Sequence, residues 1–295
     1  RPAIAASWMA FRLRKRLRFL RLRWKRMGCD RPGLLRRLAR ERGVDLRREA
    51  DTSQWLVPWS YPRFPVLSLH ALEFEFVSKP PSGVAFVGPM QLAERGPDRQ
   101  TEEDRRRLDR ILERHAASDS KHCLLYAGFG SVFTVQERWL RALFEAVGRR
   151  PEWDLVLSLG GSASPDALGT LPDNVHVFRW PPQLELLARA DAAIVHGGIN
   201  TIDECVLARV PMLVCCGFET DMAGNTARVA HHGIGLAADP RRDRAPDIER
   251  MLDRLLDDGD MADRLARMQR AYLAYAEDRV AERAVNEILA TSNRD

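Results

Sequence analysis

After residue 122 the chain alternates short apolar runs with longer segments whose apolar residues recur at helical spacing. The runs suit buried strands, and they lie at Cys123–Ala127, Leu155–Leu159, Val175–Phe178, Ala192–Val195, Met212–Cys216 and Ile234–Ala237. The segments between them predict helices at Gln136–Val147 and Leu184–Ala188, from Thr201 and from about Ala223. Strands that alternate with helices predict a parallel sheet covered on both faces.

The first ninety residues follow a different pattern. Leu34–Arg42 predicts a short helix ended by Gly43. Apolar runs interrupted by prolines, at Trp55–Trp59 and Phe64–Leu67, predict edge strands or extended loops. Val84–Val87 predicts a last strand before Gly88-Pro89. The early strand–turn–helix repeats of a complete Rossmann unit are absent from this part of the sequence.

A charged segment separates the two parts. We predict that residues 91–121 are a linker with one solvated helix, about Glu102 to His115, and that His115 and His122 lie at the surface. The predicted domains are a partial N-terminal domain at 1–90, this linker, and a second domain at 122–295. Three amphipathic helices close the second domain, at Ile248–Leu256, Met261–Tyr275 and Val280–Leu289.

Four predicted turns follow strands of the second domain, at Gly130-Ser131, Gly160-Gly161, Trp180 and His196-Gly197. Ligands of open parallel sheets bind outside the carboxyl ends of the strands. We therefore expect these four loops to converge on one cleft.

The stretch from Trp180 to Asn225 carries the chemistry. After the strand Ala192–Val195, paired glycines make a turn, and Asn200 or Thr201 is predicted to cap a helix with Glu204 in its first turn. A Gly-rich turn before a helix N-terminus is an anion site, because backbone N–H groups and the helix dipole point at it. A Trp upstream can stack on a base, and the carboxylate can accept from ribose hydroxyls. The residues themselves thus predict a nucleotide diphosphate site.

The spacing WxPQ…HGGxNTxxE…P…D…GN resembles the donor-binding signature of family 1 glycosyltransferases, with a tail, Gly224 to Gly235, that is most similar to the bacterial macrolide, lipid and carotenoid branch. About ten residues keep their spacing over roughly forty-five positions, which makes the motif specific. The resemblance implies the GT-B fold of class α/β, in which two Rossmann-like domains face a cleft, with the N-terminal domain only partly present here. It also implies an inverting hexosyltransferase.

The resemblance assigns a role to ten residues in binding the nucleotide sugar: Ser131, Trp180, Gln183, His196, Gly197, Gly198, Asn200, Thr201, Glu204 and Asp221. Trp180 would stack on uracil, Glu204 would bind the ribose, and Asp221 would bind the transferred sugar. Simpler explanations stay open: a buried core Trp, a surface Glu on a helix, a helix-start residue for Gln183 and a structural His196. Met222 stands where the family commonly has Gln, and the segment between Pro211 and Asp221 is one residue longer than usual, so the sugar is not specified.

The catalytic base of the family is not recognisable in this sequence. The family uses a His in the first loop of the N-terminal domain, held by an Asp, to take the acceptor proton. His70 is a poor substitute, because it lies in an apolar run that is expected to be buried. The catalytic residues therefore stay unassigned.

Charge is distributed unevenly. Residues 1–48 carry a net charge of +14 and the remainder −9, within a total of +5. Trp8–Met27 has apolar residues at three- and four-residue steps with arginines around them, which predicts a basic amphipathic helix. Residues 8–27 could rest on an anionic membrane surface at the inner membrane face, or they could be a domain helix with a solvated basic face. A nucleic-acid arm is disfavoured, because phosphate contact does not need an apolar stripe.

Five cysteines without CxxC spacing indicate a reducing, cytoplasmic compartment. We expect no metal and no cofactor beyond a UDP-sugar as co-substrate. The predicted function is transfer of a hexose from a UDP-sugar or related nucleotide sugar to a hydroxyl of a small lipophilic acceptor. Two alternatives stay open: a catalytically silent nucleotide-sugar-binding module or partner subunit, and a peripheral membrane-interaction protein.

Overall fold

The structure is a computed structural model that describes residues 13, 17, 31–49, 65–76, 79–80, 83–90, 100–117, 122–130, 137–160, 168–215 and 222–292. The chain divides into two compact units. The N-terminal unit comprises residues 1–72, 77–88 and 278–295, and the C-terminal unit comprises residues 73–76 and 89–277.

The C-terminal unit is built on a six-stranded sheet in which every neighbouring pair of strands is parallel. Its strands are β3 (Cys123–Gly128), β4 (Trp153–Ser158), β5 (Val175–Phe178), β6 (Ala192–Val195), β7 (Met212–Cys215) and β8 (Gly235–Ala238). All six predicted strands are confirmed, with bounds that differ by at most two residues. Their near-continuous apolar character has its reason in burial, since every residue of β6 and β7 is buried.

The helices of this unit are α3 (Glu102–Ala117), α4 (Glu137–Gly148), α5 (Gln183–Leu187), α6 (Ile199–Ala208), α7 (Met222–His232), α8 (Ala245–Asp257) and α9 (Gly259–Glu277). Helix α4 packs against α8, and α6 packs against α9. The second contact includes a buried hydrogen bond in which the Tyr272 hydroxyl donates to the Asp203 carboxylate at 3.0 Å. This bond ties α6, the helix of the predicted anion site, to the closing helix α9.

The order of the strands determines where a ligand can bind. The sheet runs β5-β4-β3-β6-β7-β8, so chain order reverses between β3 and β6. This is the strand order of a Rossmann fold, and ligands bind at the crevice beside such a reversal, outside the carboxyl ends of the strands. The loops that leave β3 and β6 begin at Phe129 and His196. The fold therefore places the glycine loop after β3 beside the His196 turn.

Helix α3 corrects one prediction. The helix is present at Glu102–Ala117, but it is not solvated all round, because Leu108, Ile111 and Leu112 are at most 3% exposed. These residues form one apolar face at helical spacing. On the polar side Arg105 donates to both carboxylate oxygens of Glu185, at 2.6 and 3.0 Å. The charged composition of residues 91–121 concealed this narrow apolar face.

A short segment, residues 73–76, packs on helix α7 within the C-terminal unit. Arg228 of α7 forms a bidentate ion pair with Glu75, with N–O distances of 2.7 to 3.0 Å, and its guanidinium lies over the Phe76 ring. The backbone carbonyl of Phe74 lies 3.0 Å from His232 Nε2. The segment thus fixes the helix that follows the predicted sugar-binding residue.

The N-terminal unit contains α1 (Arg31–Glu41), α2 (Leu46–Glu49), α10 (Val280–Ser292) and a parallel pair of strands, β1 (Val66–Ser68) and β2 (Val84–Phe86). The predicted helix near Leu34 and the predicted strand near Val84 are confirmed, and of the two structures predicted for Phe64–Leu67, an edge strand or an extended loop, the strand is present as β1. Trp55–Trp59 lies outside the described residues. Most of residues 8–27 also lies outside the described residues. The two that are described, Leu13 and Leu17, are helical and 60% and 57% exposed.

Contact of residues 8–27 with a membrane stays a prediction. In the described part of the chain, no helix is both long and apolar enough to cross a bilayer.

His70 has a different environment from the one predicted. It is half-buried rather than buried, and it follows Leu69, which is 57% exposed. Its Nδ1 lies 3.1 Å from the Ser68 hydroxyl, and its ring packs edge-on against Phe86. The apolar run of sequence indicated burial, but a bend at residues 69–70 turns this part of the run toward solvent.

Candidate functional site

The turn after β6 is held in a conformation that requires glycine. Gly197 has a φ of 92°, a region that glycine adopts without steric cost. A methyl group at this position would lie 3.2 Å from the Met222 carbonyl oxygen and 3.2 Å from a methyl of Val214. Gly197 therefore lets the backbone turn directly from the strand into the start of α6.

His196 lies between two glycine loops, as the strand order requires. A methyl group on Gly130 would lie 3.1 Å from Cε1 of the imidazole, and one on Gly198 would lie 2.5 Å from Nε2. Gly130 also has a positive φ, 71°. The absent side chains of these two glycines leave the space that the ring occupies. The loop after β3, the ring and the N-terminus of α6 thus form one continuous surface.

The start of helix α6 corrects the predicted cap. The N-cap is Gly198 and the helix begins at Ile199, whereas Asn200 or Thr201 was the predicted cap. Both residues lie inside the first turn, Asn200 exposed and Thr201 half-buried. Glu204 consequently lies in the second turn. The first N–H groups of a helix have no partner within the helix, so this N-terminus still offers donors to an anion, now starting beside the glycines.

The loop that carries Trp180 lies next to the loop after β4. The Gly160 N–H donates to the Arg179 carbonyl at 3.1 Å, so the ends of β4 and β5 stay paired beyond the strands. Trp180 is half-buried, and two prolines lead from it into α5, which begins at Gln183. Trp180 is therefore neither a fully buried core residue nor a fully exposed one, and it follows the carboxyl end of β5.

Gln183 and Glu204 are brought into direct contact. The Gln183 side-chain amide donates to the Glu204 carboxylate, and the hydroxyl of Tyr126 on β3 donates to the Gln183 carbonyl oxygen at 2.9 Å. Glu204 is only 5% exposed, so it is not the surface carboxylate that a solvated helix would carry. Sequence reasoning missed Tyr126. The clue in the sequence was a tyrosine near the end of a buried strand, two residues before Gly128.

Asn225 is a second residue that the predicted site did not include, although it belongs to the motif. Its amide donates to the Gly197 carbonyl at 3.0 Å, and Asn225 is 7% exposed. On the same helix the Thr226 hydroxyl donates to the Met222 carbonyl at 2.8 Å. Asn225 thus anchors the glycine turn from α7, which gives a structural reason for the Gly224-Asn225 end of the motif.

Eight of the ten predicted site residues are described by the structure, and all eight lie in the loops and helix starts at the carboxyl edge of the sheet. Ser131 and Asp221 lie outside the described residues. Their assignments stay predictions, as do the roles of the other eight in binding. Within the described residues, no group of three or more His, Cys, Asp or Glu side chains is arranged to hold a metal ion.

A separate polar cluster lies near the amino ends of β4 and β5. The carboxylate of Asp154, which is 5% exposed, lies 2.7 Å from His176 Nε2 and accepts from Arg114 at 3.1 Å. Burial alone would raise the pKa of Asp154, but the hydrogen bond with His176 and the charges of His176 and Arg114 outweigh it, so the pKa is lowered. Ligands of such sheets bind at the opposite edge. We therefore assign this cluster a role in stabilising the fold and not in binding a ligand.

We expect this cluster to make stability depend on acid pH. A carboxyl whose pKa is lowered in the folded state stabilises the fold above its ordinary value of 3.8, and this contribution is lost as the pH falls below that value. Urea unfolding of wild type and Asp154→Asn should show a stability difference at neutral pH that shrinks at about pH 3. Asp173→Asn, on an exposed turn, is the control. A difference that stays constant with pH would contradict the assignment.

Comparisons with known proteins agree with this architecture. Residues 143–286 match the family model of the erythromycin biosynthesis protein CIII-like C-terminal domain. The chain is 33% identical over 146 residues to the oleandomycin glycosyltransferase of Streptomyces antibioticus, covering 50% of the chain and 34% of that protein. It is 28% identical over 168 residues to the NDP-glycosyltransferase YjiC of Bacillus subtilis strain 168, covering 57% of the chain and 41% of that protein. The matches thus span about a third to two fifths of these relatives.

Solved structures show the same fold. The calicheamicin glycosyltransferase CalG4 is 26% identical with a TM-score of 0.65, over 94% of this chain and 66% of that one. The glycosyltransferase VinC, solved in complex with DTDP, has a TM-score of 0.56 at 20% identity, over 78% of this chain and 53% of that one; this likeness concerns the fold.

The strand order, the glycine turns at the reversal point and these structural neighbours define a Rossmann-like domain of the GT-B class. Within that class the chain is similar to the macrolide-type family 1 glycosyltransferases. The predicted fold class is confirmed, and the comparisons support the predicted family.

Proposed function

We propose that this chain provides the donor-binding half of a glycosyltransferase that transfers a hexose from a UDP-sugar, or a related nucleotide sugar, to a hydroxyl of a small lipophilic acceptor. In the proposed reaction the acceptor oxygen attacks the anomeric carbon while the bond from that carbon to the diphosphate oxygen breaks. The nucleoside diphosphate leaves into the site at β3 and β6, and a base takes the acceptor proton. Attack from the face opposite the leaving group inverts the anomeric centre.

One observation carries this proposal, namely the position of the His196 ring between Gly130 and Gly198 at the reversal point of the sheet. A diphosphate at this point would meet the helix N-terminus and the imidazole, which are both suited to negative charge. Glu204, about one turn further along α6, is at a suitable place for a ribose, with charge-assisted hydrogen bonds to its hydroxyls. A nucleoside diphosphate would use both features.

The relatives' names support the class of donor and acceptor. YjiC is named an NDP-glycosyltransferase, and other relatives are named for oleandomycin and calicheamicin. We propose a lipophilic acceptor by analogy with these names. No separate cofactor is proposed, because the nucleotide sugar itself supplies the leaving group.

Binding of UDP with Trp180 stacked on the base is the direct test. We expect Trp180→Ala to weaken UDP binding by about 1–3 kcal/mol, the contribution of stacking one base on an aromatic side chain. Titration calorimetry with UDP on both proteins measures the difference.

Trp153→Phe is a useful control for this experiment, because Trp153 is a buried tryptophan, 1% exposed, at the opposite end of β4. It should lower stability while leaving the affinity for UDP nearly unchanged. Equal affinities of wild type and Trp180→Ala would remove Trp180 from the site, and no binding by wild type would contradict the proposed function.

The silent-module alternative differs from the enzyme in turnover and not in binding. A nucleotide-sugar-binding module or partner subunit would bind UDP through the same residues and give no product in any assembled form.

A further inference from the structure

We infer that Tyr126 is a positioning residue for donor recognition: through Gln183 it orients the Glu204 carboxylate toward the ribose. The inference rests on the proposed function, because it assigns a nucleotide to the site. The three residues, referred to below as the Tyr126 network, come from the strand β3, the first residue of α5 and the second turn of α6. The network therefore joins three separate elements of the fold.

The hydrogen bonds of the network can run in only one direction. A carboxylate accepts but does not donate, so the Gln183 amide nitrogen must face Glu204, as the structure shows. The amide oxygen then faces Tyr126, whose hydroxyl donates to it at 2.9 Å. If the amide were turned over, its oxygen would face the carboxylate and its nitrogen would leave the carboxylate without this donor. The Glu204 carboxylate thus sets the orientation of the Gln183 amide, and the Tyr126 hydroxyl stabilises that orientation by donating to the amide oxygen.

The backbone is shaped to let the phenol reach Gln183. Residues 126 and 128 lie on the same face of β3, because side chains of a strand alternate. A methyl group on Gly128 would lie 2.5 Å from the Tyr126 hydroxyl oxygen and 2.9 Å from the ring carbon that bears it. The neighbour of Tyr126 on β6 is Ala193, another small residue. Gly128 and Ala193 thus leave room on one side of Tyr126, which is buried and 1% exposed.

The Tyr126 network connects the candidate site to a central strand of the sheet. Tyr126 is held by a central strand that is paired on both sides, whereas Gln183 begins a helix of only five residues. Without the phenol, the amide can rotate and the carboxylate loses a fixed donor. A ligand that needs the orientation of Glu204, namely one with ribose hydroxyls, should lose affinity. A ligand with fewer ribose hydroxyls should lose less.

The test compares UDP with 2′-deoxy-UDP on wild type and Tyr126→Phe by titration calorimetry. We expect Tyr126→Phe to weaken UDP binding by roughly three- to tenfold, the effect of one hydrogen bond. The affinity for 2′-deoxy-UDP should change by less, so that the preference for UDP decreases. In a Gln183→Met background, Tyr126→Phe should have no further effect, because the residue through which it acts is gone.

Tyr272→Phe is the matched control. It removes another buried phenolic hydroxyl, one that donates to Asp203, the residue before Glu204 on the same helix. It should keep the wild-type preference for UDP over 2′-deoxy-UDP. If Tyr272→Phe reduces the preference for UDP over 2′-deoxy-UDP as much as Tyr126→Phe does, the effect comes from a change in the position of α6 and the inference is wrong.

A second variant keeps the test available if Tyr126→Phe does not fold. Gly128→Ala should displace the phenol and produce the same selective loss for UDP. Wild type that binds neither nucleotide would overturn the proposed function and this inference together. Wild type that binds UDP, with an unchanged preference in the variant or additive effects in the Gln183→Met background, would overturn this inference alone.

Discussion

The 295-residue chain, incubated with UDP-glucose and a panel of phenolic, macrolide and carotenoid acceptors, is expected to bind nucleotide and to give no multiple turnover. The reason is chemical. His70 is the only histidine among residues 1–114, and its Nδ1 lies 3.1 Å from the Ser68 hydroxyl. The histidine in a first loop and its aspartate partner, which the resembled family uses as the base, are not recognisable in this part of the sequence. Product analysis by mass spectrometry measures the outcome.

The expected loss is large. A general base contributes about a hundred- to ten-thousand-fold to the rate, and holding the acceptor in place contributes separately. The two contributions should return together if residues 1–90 are replaced by the N-terminal portion of a longer relative, such as the oleandomycin glycosyltransferase. We expect this chimera to turn over and the original chain not to.

Calorimetry with UDP is the control for the comparison, because it shows whether the donor site of the chimera is intact. A chimera that binds UDP and gives no product would favour the silent-module alternative. Robust turnover by the 295-residue chain would contradict the prediction and place the base within it. His70→Gln would then be the first variant to assay, with His115→Gln, on helix α3, as its control.

The sequence predicted the sheet well because most residues of its strands are buried. The runs Val175–Phe178 and Ala192–Val195 coincide with β5 and β6 residue for residue. A strand covered on both faces, such as β6, is apolar throughout and ends where polar residues begin. The position of the site followed from the same property. Turns after such strands meet at one edge, whatever the exact order of the strands.

The predicted N-cap of α6 was wrong because tertiary contacts override the capping preferences of single residues there. Asn200 and Thr201 are better N-cap residues than glycine by propensity, yet the N-cap is Gly198 and the helix begins at Ile199. A side chain at position 198 would collide with the His196 ring, so the site requires glycine there and the cap follows from it. The Tyr126 network was beyond prediction for another reason: its members are 57 and 21 residues apart, and only the fold brings them together.

We expect Glu204→Ala to weaken UDP binding by about 1.5–3 kcal/mol, the cost of losing a hydrogen bond to a charged group. The binding of 2′-deoxy-UDP should weaken by less, because one of the two hydroxyls that Glu204 is proposed to bind is missing from that ligand. Both affinities can be measured by titration calorimetry. The buried position of Glu204, at 5% exposure, strengthens this expectation, since hydrogen bonds to a charge are stronger where water is excluded.

Two further variants separate the proposed role from a general loss of structure. Glu204→Gln keeps the size of the side chain and removes its charge. Its affinity for UDP should therefore lie between the affinities of wild type and Glu204→Ala. Trp180→Ala should weaken the binding of both nucleotides by the same factor, because the base is the same in the two ligands. If Glu204→Ala also weakened both equally, Glu204 would act on the fold of the site or on the diphosphate, and the ribose would have to be recognised by other residues.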